Sequence, residues 1–347
     1  MAWLWDLEAI QTACSSTDNV ADLMTKKLSE NAKSLSILPI AACLGVAFTP
    51  TLLCKVLNAL HRRGKCDAEL TLPDVEVSLE QFSSDGFTEK TSQGKTRFFH
   101  DKILEAALSL LERSVKFSIG KIFLDQFQKE KENFDEDIHF AVSLVNMQLK
   151  TESSQEDDSK RISIAEMNML AGKRVLESTP FNSAVRFLTV AVKLLPDNMW
   201  ESNAETAAQA FTLAGAAEFN TGNQHQVQIC AKEILSKTNV PVLDKIGLCR
   251  TLMESYEVRL ESKTNLDFGL KLLDSLGCKF PKSGVGITVK TMSSLLKAKL
   301  QLKKKLSPEA LQSKPYVKDR RIVALMKTLV HFSCKSPLFE GLLDSHP

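Results

Sequence analysis

Thr96-Arg97-Phe98-Phe99-His100-Asp101-Lys102-Ile103-Leu104-Glu105-Ala106-Ala107-Leu108-Ser109-Leu110-Leu111 reads as a short strand running straight into a helix. Phe98 and Phe99 end the strand. Asp101 is placed as the helix cap, because its carboxylate can accept hydrogen bonds from the first free backbone N–H groups. Ile103, Leu104, Ala107, Leu108 and Leu111 then recur at helical spacing. Before this stretch the chain is mixed. After it the pattern is helix after helix.

Working upstream, Gly86-Phe87 pairs with Thr96–Phe99 as two strands across the polar turn Thr91-Ser92-Gln93-Gly94. Asp74 to Phe82 reads as a short helix, and residues 61–73 as a polar loop ending in Pro73. Thr49-Pro50 opens a helix with Pro at its first position, carrying the stripe Leu52, Leu53, Val56, Leu57 and Leu60. Leu35–Leu44 is a buried helix stopped at Gly45. Thr17-Asp18-Asn19 caps another, with Val20, Leu23, Met24 and Leu28 on its apolar face. Helices followed by a β-hairpin suggest a winged-helix module. At the N-terminus, Trp3, Trp5, Leu7 and Ile10 need something to pack against, and an upstream domain would supply it.

Working downstream, Val115, Ile119, Ile122, Phe123 and Phe127 mark one helix, and Ile138, Val142, Val145 and Leu149 the next. Residues 151–160 are acidic and read as a flexible loop. An internal repeat follows. Ala184, Leu188, Ala191 and Pro196 stand at the same offsets as Gly269, Leu273, Leu276 and Pro281. Gly172 precedes Ala184 and Gly215 precedes Gly222 at offsets of the same pattern. This is the tetratricopeptide logic of small residues where paired helices cross, an aliphatic knob and a terminating Pro, on lengthened units. Last helices are expected near 286–304 and 319–335. The fold expected is mainly α: a winged-helix-like module with a β-hairpin over 1–112, then a tetratricopeptide-like α-solenoid over 113–347.

Composition bounds the function classes. In 347 residues, 44% are hydrophobic, 25% are charged and the net charge is +2, so no global field draws the chain to nucleic acid or membrane. The longest apolar run, 35–48, is broken by Pro39 and Gly45 and falls short of the roughly 20 residues a membrane span needs. Residues 1–10 carry Asp6 and Glu8 and lack the basic start of a signal peptide. The eight cysteines form no C-x-x-C pair, which fits packed, reduced thiols and a cytoplasmic setting.

Gly94-Lys95-Thr96 imitates the end of a phosphate loop, but Glu89 stands where that motif needs its first Gly, so the stretch reads as a hairpin turn. Gly284-Val285-Gly286 before Lys290 lacks the spacing too. No serine-nucleophile, metalloprotease or paired-carboxylate pattern occurs, so no enzyme activity and no metal are expected on this chain. Lys297, Lys299, Lys303, Lys304 and Lys305 lie on a helix whose other face is Met292, Leu295, Leu296 and Leu302. That run is either a solvated lysine face or a patch for an acidic partner or lipid headgroups. His100 is either a half-buried histidine beside a helix cap or a group that faces a nucleotide phosphate held elsewhere.

Trp5-Asp6-Leu7-Glu8-Ala9-Ile10, Thr17-Asp18-Asn19-Val20, Ala41-Ala42-Cys43-Leu44-Gly45, Phe99-His100-Asp101-Lys102, Ala171-Gly172-Lys173, Leu194-Leu195-Pro196 and Leu276-Gly277-Cys278-Lys279-Phe280-Pro281 fall in one order. In that order the chain resembles the region after the nucleotide-binding core of large AAA/STAND-type ATPases found in multidomain Ser/Thr and histidine sensor kinases. The resemblance covers nearly the whole chain. It implies a winged helix and a tetratricopeptide-like region, with ATP and Mg held only by an upstream domain. It also implies His100 as a nucleotide-state sensor, provided an ATPase core is supplied. Where that family tends to have a histidine after Val145-Asn146, this chain has Met147. The function expected is a non-catalytic regulatory and scaffolding segment, with protein partners on the helical array and none in nucleic acid. The alternative is a free-standing helical-repeat adaptor that binds a protein or peptide without ATP.

Overall fold

The computed structural model describes residues 28, 32–129, 138–149, 157–178, 181–277, 319–321 and 323–324. Trp3, Trp5, the acidic residues 151–156 and the lysine run 297–305 lie outside them, as do Cys14, Cys278 and Cys334. The protein is mostly helical, with thirteen helices and one three-stranded antiparallel sheet among the described residues. It divides into two compact units, one of the residues up to Ser178 with Lys193–Pro196, the other of Thr179–Val192 and the residues from Asp197. The first unit thus runs on past the 112/113 boundary drawn from the sequence.

In the first unit, α1 (Ala32–Ala42) is followed by β1 (Ala47–Phe48), α2 (Pro50–His61) and α3 (Leu72–Ser84). Then come β2 (Thr88–Lys90), β3 (Thr96–Phe98) and α4 (Asp101–Leu110). The strand order is β1-β3-β2. β3 pairs with β2 through Thr88↔Phe98 and Lys90↔Thr96, and with β1 through Phe48↔Thr96. The expected hairpin forms, but its first strand is Thr88–Lys90 and not Gly86-Phe87. Gly86 takes φ +77 and serves the turn out of α3, while the Phe87 carbonyl still accepts from Phe99 N at 3.0 Å.

Local chemistry explains the helix ends. Thr49 caps α2 by accepting from Leu52 N at 3.2 Å, with Pro50 at the first position, where its missing N–H costs no bond. The loop expected over 61–73 is shorter than its polarity suggests. Thr71 and Asp74 form a capping box, so α3 begins at Leu72 and Pro73 lies in its first turn. Asn58 holds that loop against α2, donating to and accepting from Leu70 at 2.8 and 2.9 Å. Buried Leu53, Val56, Leu57 and Leu60 on α2, Phe82 on α3, and Ile103 and Ala107 on α4 supply apolar burial, the main favourable term in folding. The Phe48 and Phe98 rings lie 6.0 Å apart across the sheet.

The unit continues through α5 (Arg113–Lys129), α6 (Ile138–Leu149) and α7 (Asp158–Glu177), each packed on the others. α7 starts at Asp158, inside the stretch read as a loop, because the apolar residues from Ile162 onward carry the helix back over its acidic first turn. Between α6 and α7, the Asn146 and Asn168 amides donate to each other at 2.7 and 2.9 Å, and Asn168 also donates to Ile164 O. Asn168 is wholly buried.

The second unit holds α8 (Phe181–Leu194, as far as Val192), the short α9 (Met199–Ser202), α10 (Ala204–Asn220), α11 (Gln224–Ser236), α12 (Val242–Val258) and α13 (Ser262–Ser275). The side chains of Ala184, Leu188, Ala191, Leu273 and Leu276 are all buried, which accounts for their shared spacing. α10 packs on both α11 and α12, and α12 packs on α13. Asn203 and Asn223 cap α10 and α11, and Gly222 at φ +80 makes the turn between them. Gly215 and Gly247 let α10 and α12 approach closely: a side chain at 215 would meet Leu248, and one at 247 would lie 2.8 Å from Thr212 Cγ2. Cys249, Met253, Leu272 and Leu276 form the core of the α12–α13 pair, with Ile246 and Phe268 against them.

Candidate functional site

The strand-to-helix joint is where the first unit presents an apolar ring to solvent. Side chains alternate along a strand, so with Phe98 buried the next residue must point out. Phe99 is 64% exposed. Its backbone is fixed by its bond to Phe87 O, so the ring is presented from a rigid frame. His100 follows in extended conformation (φ −150°, ψ 144°) and is exposed, not half-buried.

The structure corrects the assignment of the cap. Asp101 is the first residue of α4, and the N-cap is His100, whose ring Nδ1 accepts from Lys102 N at 3.0 Å. The physical reason is the extended backbone of His100, which lets its carbonyl accept from Ile103 N at 2.9 Å while its ring folds over the next turn. Asp101, already in helical conformation, contributes its negative charge to the positive end of the helix. Lys102 pairs with Glu105 at 2.7 Å. Because Nδ1 is an acceptor, the neutral ring carries its proton on Nε2, a donor left for a group outside the cap.

Replacing His100 with Ala is expected to cost about 1 kcal/mol, the usual value of an N-cap bond. His100→Asn should hold the stability, since Asn is among the preferred caps. Urea denaturation of the two variants checks this. Equal loss in both would remove the capping role.

Gly94-Lys95-Thr96 does not fit a phosphate. Gly94 N donates to Thr91 O at 3.1 Å and Lys95 N to Thr91 Oγ1 at 3.2 Å, so both amides are consumed inside the turn. The exposed residues of α3 include Asp74, Glu76 and Glu80, and the helix carries no Lys or Arg. A helix of that charge repels a nucleic-acid backbone. Val77 on the same helix is 63% exposed. A cleft of about 300 Å³ between α2 and α5 is lined by Arg62, Arg63, Asp125 and Lys129. Arg63 is tied to Asp125 at 2.7 Å and to Ser118 O, and the cations at the C-terminal ends of both helices complement their dipoles.

Among the described residues, the three buried cysteines are poor nucleophiles. Burial pushes the Cys43 and Cys249 thiols up to about 12 and Cys230 to about 11, from 9.0. The thiolate is the reactive species, so these three should resist alkylation at pH 8 until the chain unfolds, as mapped by mass spectrometry. Native thiols that keep their protons to about 12 while unfolded ones lose them near 9 leave stability unchanged below about pH 9 and lower it from there to about 12.

Among the described residues, the His100 ring bonds to Lys102 N of its own helix. Lys297, Lys299, Lys303, Lys304 and Lys305 fall outside the described residues. Sequence reasoning missed the outward aim of Phe99, although the alternation in Phe98-Phe99 carried that signal. It also missed β1, whose two residues are too few to show a period. Among the described residues no helix is long and apolar enough to cross a membrane. Compared with protein-family models, curated proteins and solved structures, the chain matches none.

Proposed function

We propose that this chain is a non-catalytic regulatory and scaffolding segment of a STAND-type ATPase signalling protein, coupling nucleotide state to protein–protein contact. The observation that carries the reading is the Phe99–His100 pair, an exposed aromatic and a free ring donor set on backbone that the sheet and α4 hold in place. Three arrangements support it. The order helix–strand–helix–helix–strand–strand with sheet order β1-β3-β2 is compatible with the winged-helix reading. The acidic exposed residues of α3 favour a protein surface over nucleic acid as its partner. Helices packed in sequence, with α10 and α12 in close approach at Gly215 and Gly247, suit a tetratricopeptide-like array.

In this mechanism an ATPase core would hold ATP and Mg, and His100 Nε2 would donate to an acceptor present in one nucleotide state. Phe99 packs on the core in the same state. The shift in packing would pass into α4 through the cap, and the helices beyond would carry it to a bound partner. Two measurements test it. Mg-ATP titrated into this chain alone should give no binding heat, and tight binding overturns the non-catalytic reading. The transcript upstream of Met1 should encode a phosphate-binding loop, and its absence removes the ATPase coupling.

The second reading is a helical-repeat adaptor that binds a protein or peptide without ATP. The exposed Val258, Leu260, Leu266 and Leu270 of the second unit favour it. A partner captured equally by the chain and by its His100→Asn variant, with no effect of nucleotide, would select the adaptor.

A further inference from the structure

Leu276 closes α13, and Gly277 follows at φ +88. Carbonyls at a helix C-terminus have no partner within the helix and carry its negative dipole end, so they attract cations. Here the carbonyl of Leu276 accepts from Arg321 Nε at 2.7 Å, from a residue 45 positions away. The Arg321 guanidinium lies against Gly277, where any side chain would collide with it. Beside it, Arg320 reaches Asp244 in the first turn of α12 at 3.6 Å. The described residues around both arginines are held locally in helical conformation: Asp319 Oδ1 accepts from Arg321 N at 2.9 Å, Asp319 O accepts from Val323 N at 3.0 Å, and Ala324 is buried.

We propose that the end of the α12–α13 pair is a docking site for a diarginine peptide, which this chain fills in cis with Arg320-Arg321. The site has a part for each cation: a helix-end carbonyl with a glycine floor for the guanidinium of Arg321, and the half-buried Asp244 carboxylate for Arg320. Arginine suits it better than lysine, because a planar fork can lie on the glycine while its Nε–H meets the carbonyl. The cis contact is weak enough to exchange. Arg320 is 75% exposed at a 3.6 Å separation, and such exposed pairs contribute little. Tethering favours the segment over a free peptide, since its binding is intramolecular. A basic peptide from a partner would therefore compete with residues 319–324 for the same end of the unit. This site is independent of His100 and of any nucleotide.

The probe is a fluorescent synthetic peptide of residues 317–326, followed by anisotropy against the full chain. It should bind the R320A/R321A variant at least tenfold more tightly than the wild type, whose site is filled. D244N introduced into that variant should weaken binding severalfold, and the peptide with both arginines replaced by alanine should not bind. Equal affinity for wild type and variant, no binding to the variant, or equal binding of the arginine-free peptide each overturn the proposal. The wild-type chain gives a second readout that needs no variant. The Arg321 Nε–H signal in NMR should exchange with water more slowly than that of free arginine, and exchange at the free rate overturns the proposal as well.

Discussion

Gly45→Ala lowers the stability of the first unit by about 3 kcal/mol, through two costs that add. Gly45 ends the α1 turn at φ +113, a region that residues with a side chain enter at a cost of about 1–2 kcal/mol. A Cβ at this position would also lie 2.6 and 2.7 Å from two carbons of the Phe140 ring. Overpacking of that kind costs about 1–3 kcal/mol. Phe140 sits on α6, and its ring lies 4.7 Å from that of His139, tilted by 45° to it, which limits its retreat. For a unit of this size the thermal midpoint should fall by about 6–12 °C. The two costs separate in a double variant. Phe140→Ala removes the collision and leaves the dihedral cost, so adding Gly45→Ala to Phe140→Ala should cost only about 1–2 kcal/mol more. Full additivity of the two changes would show that the ring is not what Gly45 accommodates.

Asn168→Leu lowers stability by about 2 kcal/mol, and adding Asn146→Leu restores most of it. The two amides satisfy each other at 2.7 and 2.9 Å between α6 and α7, and Asn168 is wholly buried. Removing one amide leaves the other with polar atoms that face an apolar group, at about 1–3 kcal/mol for an unsatisfied buried group. Removing both replaces two polar groups by apolar ones of similar size, a change that is close to neutral. The reciprocal pair has a second consequence. Only one register of α7 on α6 brings the amides together, so the double variant should keep its stability while losing uniqueness of packing. Denaturation gives the first effect and the spread of the NMR methyl signals gives the second. A double variant as unstable as Asn168→Leu alone would contradict the account.

Much of the helical order was legible in the residues. The stripe Leu53, Val56, Leu57 and Leu60 sits at helical spacing and is buried as that spacing requires. Thr49-Pro50 begins a helix because a hydroxyl acceptor and a residue without an N–H both suit a first turn. Thr91 to Gly94 turns because Gly94 tolerates φ +76. The matched offsets of Ala184, Leu188 and Ala191 with Gly269, Leu273 and Leu276 mark buried positions. Each of these depends on neighbours within a few residues, and a sequence displays its neighbours.

The rest depended on residues far apart. Whether His100 or Asp101 caps α4 turned on where the sheet delivers the backbone, since Phe99 N is bonded to Phe87 O. β1 exists because Ala47 and Phe48 meet β3, about fifty residues on, and two residues have no period of their own. Arg320 and Arg321 look like ordinary surface charges until Asp244 and the Leu276 carbonyl are seen opposite them. The sequence by itself determined that this protein is mainly helical, which faces of its helices are apolar and where its turns fall, because hydrogen bonding along a helix and the alternation of a strand are local. Only the tertiary structure decided that Phe99 and His100 stand in solvent, that Asn146 finds Asn168 and that α13 ends on an arginine. Those outcomes are set by which distant groups are left to satisfy a donor, an acceptor or a charge.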